Sequence, residues 1–415
     1  MSNNFINHIT ERGFFNQCTN IDLLNLILKK PTTAYIGFDC TADSLHIGSL
    51  LPIMLLRIFQ KYGHVPIVLL GGGTTLIGDP SGKDETREIL TIQKIKENKD
   101  KLRKLFSKFL SFEDKKNPAI ILDNYEWIKG LNYVDFIRDI GSQFSVNRML
   151  SLESVKQRLT REQHLSFLEF NYAIIQSYDF LELHKNYNCS IQFGGSDQWG
   201  NIVSGIELIK KKTGKETIGL TSPLMTTSSG QKMGKTNKGA IWLDNEKLNY
   251  FDYWQYWRNV DDKDVIKFLK LFTEVDIDEI NKYKNFSGSE FNKIKILLAN
   301  EATKICHGET FAKKAEQSSM KIFSEGKVDK DIPEKNKLMV SRDDILKQKS
   351  LKEYLVLLSL SKSLGESKRL IENGGVKINK NKIIDKNYII RENDFNNNLI
   401  NISVGKKKNG LIEIY

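Results

Sequence analysis

The stretch DCTADSLHIGSLLPIMLLRIFQKYG, residues 39–63, decides the fold of this chain. The apolar run TAYIGF just before it predicts a buried strand over residues 33–38. Apolar residues then recur at helical spacing and predict an amphipathic helix over residues 47–62, although histidine and glycine are weak choices for its start. The run HVPIVLL predicts a second strand over residues 64–70. A strand, a helix and a strand in succession form a βαβ unit, which predicts an α/β fold with a parallel sheet.

The alternation of strands and helices continues to about residue 220 and predicts an α/β domain over residues 1–230. Further buried strands are expected at residues 119–124 and 189–193, with mostly helical sequence over residues 131–183 and a helix over residues 202–213. Parallel strands bury both faces, so the apolar runs in these segments fit a central sheet.

The rest of the chain divides by composition. Small residues around two lysines predict a mobile loop at residues 231–247. Helical periodicity without strand patterns predicts a small helical domain over residues 248–323. Charged residues with Pro and Gly predict a linker at residues 324–349, and a compact helix-then-strand pattern predicts a last domain over residues 350–415.

Charge is unevenly distributed along the chain. The formal net charge is +11, and residues 349–415 contain 13 Lys and Arg against 7 Asp and Glu. A basic module of this kind is typical of nucleic-acid binding, because phosphate backbones attract clustered cations. A solvated surface on a lysine-rich protein explains the same count, so both interpretations remain open at this point.

Cysteine usage and hydropathy bear on the compartment. None of Cys18, Cys40, Cys189 and Cys306 forms a Cys-x-x-Cys pair, and the histidines show no zinc spacing, so no protein metal site is expected. The N-terminal residues lack the apolar core of a secretory signal. No apolar run approaches the about 20 residues that span a bilayer. A reduced, cytoplasmic location without membrane contact is predicted.

The predicted helix at residue 47 begins with a possible anion site. Unpaired N–H groups at a helix start attract phosphate, and His46 can donate to a phosphate oxygen. Gly48 allows close approach to the backbone, and the hydroxyls of Thr41 and Ser49 lie beside it in sequence. His46 could equally be a helix cap, with Gly48 relieving packing. The Walker A and G-x-G-x-x-G spacings are both absent around residues 71–84, so any nucleotide site is of another kind.

A second phosphate-binding candidate is KMGKT, residues 232–236, which we call the KMGKT segment. Lys232 and Lys235 flank a glycine, and Thr236 adds a hydroxyl. Two ammonium groups on a flexible loop can neutralise the charge that develops on a polyphosphate. An ordinary surface turn with two lysines is the alternative.

Polar residues form a stripe in the apolar segment FLEFNYAIIQSYDFL, residues 167–181. Tyr172, Gln176 and Asp179 are spaced so that they share one face of a helix. The alternative is a solvated face, but the surrounding apolar residues favour burial, and buried polar groups require partners. In GGSDQWG, residues 194–200, two glycines permit close backbone approach and Asp197 can accept bonds from ribose hydroxyls; a tight turn without a ligand is the alternative there.

Taken in order along the chain, these motifs resemble those of one enzyme family. GFDCTADSLHIGSL, LLGGGTTLIGDPSGK, FLEFNYAIIQSYDFL, IQFGGSDQWGNI and KMGKT are similar to the motifs of bacterial and organellar tyrosyl-tRNA synthetases, which belong to class I. SKSLGESKRLIENGGVKIN, residues 361–379, resembles the S4-type RNA-binding module of the same enzymes. The resemblance implies a Rossmann-like catalytic domain with a helical dimer-interface insertion at about residues 125–165, an anticodon-arm domain over residues 248–323 and an S4-like domain over residues 350–415.

The resemblance also implies roles for individual residues. Tyr35 and Asp179 are expected to hold the phenolic hydroxyl of tyrosine. Its ammonium group is assigned to Asp79, Tyr172 and Gln176, the adenylate to Gly37, Asp39, Gly48, Gly195, Asp197 and Gln198, and the γ-phosphate region to Thr41 and His46. The departing pyrophosphate is assigned to Lys83, Arg87, Lys232, Lys235 and Thr236, and a ribose contact to Ser49.

The implied reaction joins L-tyrosine to tRNA(Tyr) in two steps, with ATP as a substrate and Mg²⁺ accompanying it. Tyrosyl-adenylate forms with release of pyrophosphate, and the 3′-terminal ribose of the tRNA then takes the tyrosyl group. The resemblance further implies a homodimer. Apolar material for its interface is available at Ile128, Leu131, Phe136, Ile140 and Phe144, although a monomer's core could use the same residues.

Three other functions compete with this interpretation. Tryptophanyl-tRNA synthetases share the fold, but Asp179 opposite Tyr35 favours a phenol over an indole. An RNA-binding protein on the same scaffold and a small-molecule adenylyltransferase are the other two. Intact HIGS and KMGKT motifs argue against loss of catalysis, and an adenylyltransferase would not explain the basic C-terminal module. Ser49 stands where many relatives have His or Asn, which puts the ATP contact at that position in question.

Overall fold

The computed structural model describes residues 4–79, 90–228, 230, 233–236, 239–286, 289–324, 336–341, 349–396, 398–405 and 408–414. The chain forms two compact units. The first comprises residues 1–247 and 261–287, and the second comprises residues 248–260 and 288–415. None of the helices in these described ranges is long and apolar enough to cross a membrane.

The first unit is built around a mainly parallel sheet. Its strands are β1 (Gln17–Cys18), β2 (Thr33–Asp39), β3 (Val65–Gly71), β4 (Ile120–Asp123), β5 (Cys189–Gly195) and β6 (Ile218–Ser222). Within the described residues the strand order is β1-β6-β5-β2-β3-β4, with β1 antiparallel to β6 and the other neighbours parallel. The predicted βαβ unit and parallel sheet are therefore confirmed. The chain leaves β2 toward β3 on one side and returns to β5 on the other, which creates a ligand crevice at the carboxyl ends of the strands.

Helices cover the sheet of the first unit. Their bounds are Asn4–Arg12, Ile21–Ile27, Leu50–Lys61, Ile92–Phe106, Tyr125–Ile128, Tyr133–Asp139, Val146–Leu150, Glu153–Thr160, Phe167–Phe170, Tyr172–Tyr187, Trp199–Thr213, Asp262–Phe272 and Ile277–Lys282. The predicted helix over residues 47–62 begins as the 3-10 turn Ile47–Ser49 and continues as Leu50–Lys61. Pro52 lies in its first turn, where the helix does not need the missing N–H group. A separate short hairpin joins β7 (Lys235–Thr236) to β8 (Gly239–Ala240).

The second unit contains helices and a sheet of its own. The helices Tyr250–Arg258, Ser289–His307 and Glu309–Ser324 pack together, and Trp254 and Trp257 of the first are buried. The C-terminal part has the helices Leu351–Leu357 and Leu364–Glu372. Its strands are β9 (Lys337–Val340), β10 (Val376–Ile378), β11 (Asn381–Ile383), β12 (Leu399–Val404) and β13 (Lys408–Ile414). Their order is β11-β10-β12-β13-β9 in the described part of the chain.

The structure corrects the prediction of a linker at residues 324–349. Lys337–Val340 is a strand that pairs in parallel with β13, with Leu338 opposite Ile412. Val340 and Ile412 belong to the buried core of this sheet. Composition favours a linker because charged residues surround a short apolar run. The strand could not be recognised from this segment alone, because the strand with which it pairs lies about 70 residues later in the sequence.

The compact units also differ from the predicted division at residue 248. Residues 261–287 belong to the first unit, so the predicted helical domain over residues 248–323 is divided. The physical reason is that Asp262–Phe272 packs on Leu50–Lys61, and the Arg12 side chain donates to the carbonyls of Lys270, Thr273 and Val275. A helical pattern does not tell which neighbour a helix packs against.

Candidate active site

A cavity of about 540 Å³ opens at the carboxyl ends of β2, β5 and β6. This volume is within the range of small-molecule sites. Many of the site residues predicted from the sequence line it: Tyr35, Gly37, Asp39, Thr41, His46, Gly48, Ser49, Asp79, Tyr172, Gln176, Asp179, Gly195, Asp197 and Gln198. Residues separated by up to 163 positions in the chain thus meet in one cavity, because the parallel strands end at a common edge.

The other predicted residues belong to segments that the structure describes in part or not at all. Lys83, Arg87 and Lys232 lie outside the described residues. The backbone of Lys235 and Thr236 forms β7, which pairs with β8 in the short antiparallel hairpin. The side chains of those two residues are outside the description as well.

His46 begins the helix that follows β2 and serves as its cap. The Gly48 N–H donates to Nδ1 of His46 at 3.0 Å, so Nε2 is the nitrogen that carries the proton of a neutral ring. An added β-carbon on Gly48 would lie 2.7 Å from the imidazole and 2.8 Å from the Met233 carbonyl oxygen. The histidine ring and the KMGKT segment therefore require glycine here, which supports the alternative given above in which His46 caps the helix and Gly48 relieves packing.

The KMGKT segment lies directly against the HIGS turn, residues 46–49. Gly234 has φ of +114°, and a β-carbon on it would lie 2.5 Å from Nδ1 of His46. Further along, the Ile47 N–H donates to the Ile241 carbonyl and the Leu243 N–H donates to the Leu45 carbonyl, each at 2.9 Å. Residues 241–243 of the predicted mobile loop are thus held by backbone hydrogen bonds to the HIGS turn and the residue before it. Two motifs almost 190 residues apart in sequence therefore meet beside the cavity.

The polar stripe faces the cavity and is largely buried. Tyr172, Gln176 and Asp179 lie on the helix Tyr172–Tyr187, with Asp179 only 2% exposed. The interpretation of the stripe as a solvated face is therefore wrong. Asn124 Nδ2 donates to Asp179 Oδ2 at 2.9 Å, and Trp127 Nε1 donates to Oδ1 at 2.8 Å. These two donors fix the orientation of the carboxyl group.

Burial raises the pKa of Asp179 to about 7. The hydrogen bonds from Asn124 and Trp127 favour the charged carboxylate and oppose this effect, while the negative charge of Asp39 adds to it. The same burial, together with the charge of Asp179, holds the pKa of Tyr35 well above its usual range. The Tyr35 phenol consequently remains protonated and can donate a hydrogen bond.

Tyr35 and Gln192 carry polar atoms that lack partners in the described part of the chain. The Tyr35 hydroxyl and Gln192 Oε1 are buried and make no hydrogen bond there, although both residues line the cavity. An unsatisfied buried polar atom costs about 1–3 kcal/mol. A ligand hydroxyl placed between Tyr35 and Asp179 would satisfy the phenol and use the raised-pKa carboxyl group as a second partner.

A second polar cluster lines another part of the cavity. Gln198 Nε2 donates to Asp79 Oδ2 at 3.1 Å. Asn201 Nδ2 donates to Gln176 Oε1 at 3.0 Å and to Gln198 Oε1 at 3.2 Å. Amide donors therefore orient the acceptor oxygens of Asp79 and Gln176, which together suit a cationic ligand group.

Sequence reasoning missed several residues of this site. Asn124 and Trp127 follow β4, and Thr74 follows β3, where its hydroxyl donates to Asp39 Oδ1 at 2.9 Å. Trp242 lines the cavity beside His46, with ring centroids 6.3 Å apart. The position of Thr74, Asn124 and Trp127 at or soon after the ends of predicted strands could have indicated their role, since polar residues at the carboxyl ends of parallel strands meet at the ligand crevice. The spacing of Asn124 and Trp127 gave no further clue.

Comparisons with known proteins agree with this geometry. The family described as "tRNA synthetases class I (W and Y)" matches residues 28–324, and the family described as "Tyrosine--tRNA ligase SYY-like C-terminal domain" matches residues 330–412. A tyrosine--tRNA ligase of Pelagibacter ubique is 50% identical over 415 residues, covering 99% of this chain and all of that protein. One from Rickettsia rickettsii is 50% identical over 413 residues with the same coverage. The structure of a C-terminally truncated mitochondrial tyrosyl-tRNA synthetase of Aspergillus nidulans superposes with a TM-score of 0.69 at 30% identity, covering 77% of this chain and 94% of that one.

Proposed function

Because this chain belongs to the class I tRNA synthetases of the W and Y type, we propose that it ligates L-tyrosine to tRNA(Tyr) at the expense of ATP. The tyrosine carboxylate attacks the α-phosphorus of ATP, and pyrophosphate leaves as tyrosyl-adenylate forms. The 3′-terminal ribose hydroxyl of the tRNA then attacks the tyrosyl carbonyl, and AMP leaves. A carboxylate is already a nucleophile at neutral pH, so the first step depends on positioning and charge stabilisation.

The observation that carries the proposal is the pair formed by Tyr35 and Asp179 in the cavity. Tyr35 has a buried hydroxyl that is unpartnered among the described residues, and Asp179 is oriented by Asn124 and Trp127. A phenolic hydroxyl can donate to Asp179 and accept from Tyr35. An indole N–H can donate but cannot accept, so tryptophan would leave the Tyr35 hydroxyl unsatisfied.

Selectivity in such a site is set by what an incorrect substrate leaves unpaired. Phenylalanine has nearly the same volume as tyrosine, but it would give the polar atoms of Tyr35 and Asp179 no substrate partner. Discrimination between tyrosine and phenylalanine reaches about 10⁵ without an editing step, a figure established for this same class of enzyme. The Asp79 and Gln176 oxygens are the proposed partners of the substrate ammonium group, together with Tyr172.

ATP is proposed to bind between the HIGS turn and the 194–200 turn. Asp197 accepts from the ribose hydroxyls, and Gly37, Asp39, Gly195 and Gln198 surround the adenylate. His46, whose Nε2 can donate, binds a phosphate oxygen with Thr41. Lys83, Arg87, Lys232, Lys235 and Thr236 are proposed to neutralise the departing pyrophosphate, as the family motifs imply. Removing one such contact typically raises the barrier by about 3–4 kcal/mol.

Mg²⁺ is proposed to enter with ATP. Magnesium prefers oxygen ligands and usually binds through substrate phosphates and one or two carboxylates. Asp39, Asp79 and Asp197 line the cavity but have other roles proposed above, and the described residues contain no cluster of three or more metal-ligating side chains, so the phosphates and water are proposed to hold most of the ion's coordination. When bound, the ion would reduce the negative charge on the phosphates, and the protein residues would orient the reacting groups.

Two partners complete the proposal. The basic C-terminal part, residues 349–415, is proposed to bind tRNA(Tyr) with the helices of the second unit.

A second copy of the chain is proposed to cover a patch of exposed apolar side chains between residues 133 and 168. The exposed large apolar residues of this range, which we call the apolar patch, are Tyr133, Val134, Ile137, Val146, Leu150, Leu159, Phe167 and Leu168. A cytoplasmic location is proposed because the relatives are bacterial synthetases.

Three of the apolar residues named for the dimer interface have another role. Ile140 is buried in the core of the first unit, and Phe136 and Phe144 pack against that core. Neighbouring residues such as Val134 and Ile137 are the ones left exposed. An exposed apolar surface of this kind is typical of an interface between protein copies.

The test of the activity is ATP–pyrophosphate exchange across a panel of amino acids. Tyrosine is expected to support exchange, while phenylalanine and tryptophan support at least about 10³-fold less. Exchange with tryptophan in place of tyrosine, or with no amino acid, would overturn the proposal. The tRNA step is tested with a chain ending at residue 324, since a C-terminally truncated relative has been crystallised. This variant should keep tyrosine-dependent exchange and lose most tRNA charging.

A further inference from the structure

A buried carboxyl group outside the cavity holds the chain that leads into the KMGKT segment. Asp264 is 4% exposed and lies in the first turn of Asp262–Phe272, which we call the anchor helix. The backbone N–H of Ser228 donates to both carboxylate oxygens of Asp264 at 3.0 Å, and the Ser228 hydroxyl donates to Oδ2 at 3.0 Å. Such hydrogen bonds offset the cost of burying the carboxyl group.

A second residue of the anchor helix holds the same stretch of chain. Lys267 lies three residues after Asp264, hence on the same helical face, and its Nζ donates to the Thr226 carbonyl at 3.0 Å. Thr226 and Ser228 are therefore fastened two residues apart to one rigid helix. Arg12 holds the other end of that helix through three carbonyls, so the helix cannot shift freely.

Hydrogen bonds continue from this attachment toward His46. The Met233 N–H donates to the Met225 carbonyl at 3.0 Å, so the attached stretch and the KMGKT segment are directly joined. The Met233 carbonyl in turn lies against Gly48, and Gly234 lies against the His46 ring. The path from Asp264 to His46 thus runs through Ser228, Met225 and Met233 without leaving the first unit.

On the basis of the function proposed above, we propose that Asp264 is a positioning residue for tyrosine activation, which sets the KMGKT segment against the HIGS turn through Ser228. The hydrogen bonds that the Asp264 side chain accepts within the described chain come from Ser228, and the tyrosine pocket is not among its partners. Its effect is therefore confined to the ATP side of the reaction. An amide in place of the carboxylate keeps one acceptor oxygen and replaces the other by an N–H₂ group. It can therefore no longer accept from the Ser228 N–H through both oxygens, and the negative charge that strengthens these hydrogen bonds is lost, with little change in volume.

The test compares Asp264→Asn with Asp278→Asn, a matched loss of charge at an exposed position of the same unit. The pre-steady-state rate of tyrosyl-adenylate formation and the dissociation constant of tyrosine are measured for both full-length variants. Asp264→Asn is expected to lower the activation rate by about 10- to 100-fold, because a displacement near 1 Å at the reacting groups can cost about 100-fold. Its tyrosine dissociation constant should match that of Asp278→Asn, while its melting temperature should be lower, because buried hydrogen bonds are weakened only at Asp264.

A double-mutant cycle separates positioning from general stability. Ser228→Ala removes the hydroxyl donor, and its effect should not add to that of Asp264→Asn, because both act through one contact. Additive effects, an unchanged activation rate or an equal weakening of tyrosine binding would overturn the inference. Should Asp264→Asn fail to fold, Lys267→Met at its exposed position is measured instead. It removes the donor to the Thr226 carbonyl, and it should also lower the activation rate while tyrosine binding is unchanged. A wild-type chain without tyrosine-dependent exchange would instead overturn the proposed function.

Discussion

A β-carbon on Gly234 would lie 2.5 Å from Nδ1 of His46, the atom that accepts the Gly48 N–H. The contact means that the KMGKT segment and the HIGS turn cannot be altered independently. A side chain on Gly234 must displace the imidazole, and the imidazole is the proposed phosphate ligand. The contact joins two short motifs that lie almost 190 residues apart in sequence.

Gly234→Ala is expected to slow tyrosine activation, and Gly239 supplies a matched control. Both glycines have nearly the same positive φ, +114° and +111°, so alanine at either position incurs similar backbone strain of about 1–2 kcal/mol. A β-carbon on Gly239 meets no atom of the described residues within 4 Å. In stopped-flow measurements, Gly234→Ala should therefore be at least about tenfold slower than Gly239→Ala. Equal rates would show that the contact with His46 has no role in activation.

Tyr35→Phe should separate stability from binding. The variant removes a buried hydroxyl that is unsatisfied in the described chain, so the free energy of unfolding should stay the same or rise by about 1 kcal/mol. Tyrosine should bind up to about tenfold more weakly, because the substrate hydroxyl loses one partner. Denaturant unfolding and equilibrium dialysis measure the two quantities. Tyr253→Phe, at a buried position outside the cavity, is the control that should leave tyrosine affinity unchanged.

Tyrosine affinity should depend on pH through Asp179. Its pKa is raised to about 7, so the carboxyl group is protonated below that pH in the free protein. A phenol donates best to the ionised form, and proton binding therefore competes with tyrosine binding. The dissociation constant should rise by up to about tenfold per unit as pH falls below 7. Titration from pH 8 to pH 6 tests this, and Asp179→Asn should bind weakly with no such slope.

The raised pKa of Asp179 makes the free energy of unfolding depend on pH in the direction opposite to that of tyrosine affinity. Between about pH 4 and about pH 7 the folded chain retains a proton on Asp179 that the unfolded chain has lost. Stability from this group is therefore greatest at low pH and declines as pH rises through the window. Asp179→Asn should lack this decline when unfolding is followed at several pH values. A steeper rise of stability with pH in the wild type than in the variant would contradict the assignment.

Val134→Lys should weaken the proposed dimer. Val134 is 69% exposed within the apolar patch, and a lysine there would have to be desolvated on association. Sedimentation at several protein concentrations should show a shift toward monomer. Leu26→Lys is the control, since Leu26 is also an exposed apolar residue but lies outside the patch. An unchanged mass for Val134→Lys would place the interface elsewhere.

Local patterns predicted much of the fold because they reflect local physics. The strands expected at residues 33–38 and 64–70 are present as Thr33–Asp39 and Val65–Gly71. The stripe of Tyr172, Gln176 and Asp179 was recognised from helical spacing alone, and apolar neighbours correctly indicated its burial. These features depend on side-chain periodicity within a single element.

Partners distant in sequence could not be predicted in the same way. Asn124 and Trp127 hold Asp179 from more than 50 residues away, and nothing in their own spacing marks them. The strand Lys337–Val340 was not predicted, because its partner β13 lies far along the chain. The attachment of residues 261–287 to the first unit was missed for the same reason.

The amino-acid sequence by itself determined the α/β class, the order of the motifs and most of the polar residues that line the cavity. Only the tertiary structure decided that Gly234 touches His46, that Asn124 and Trp127 orient Asp179, and that Asp264 holds Ser228. The physical reason is that hydrophobic periodicity acts within one helix or strand. Contacts between elements depend instead on how all the buried surfaces pack together, which no single segment encodes.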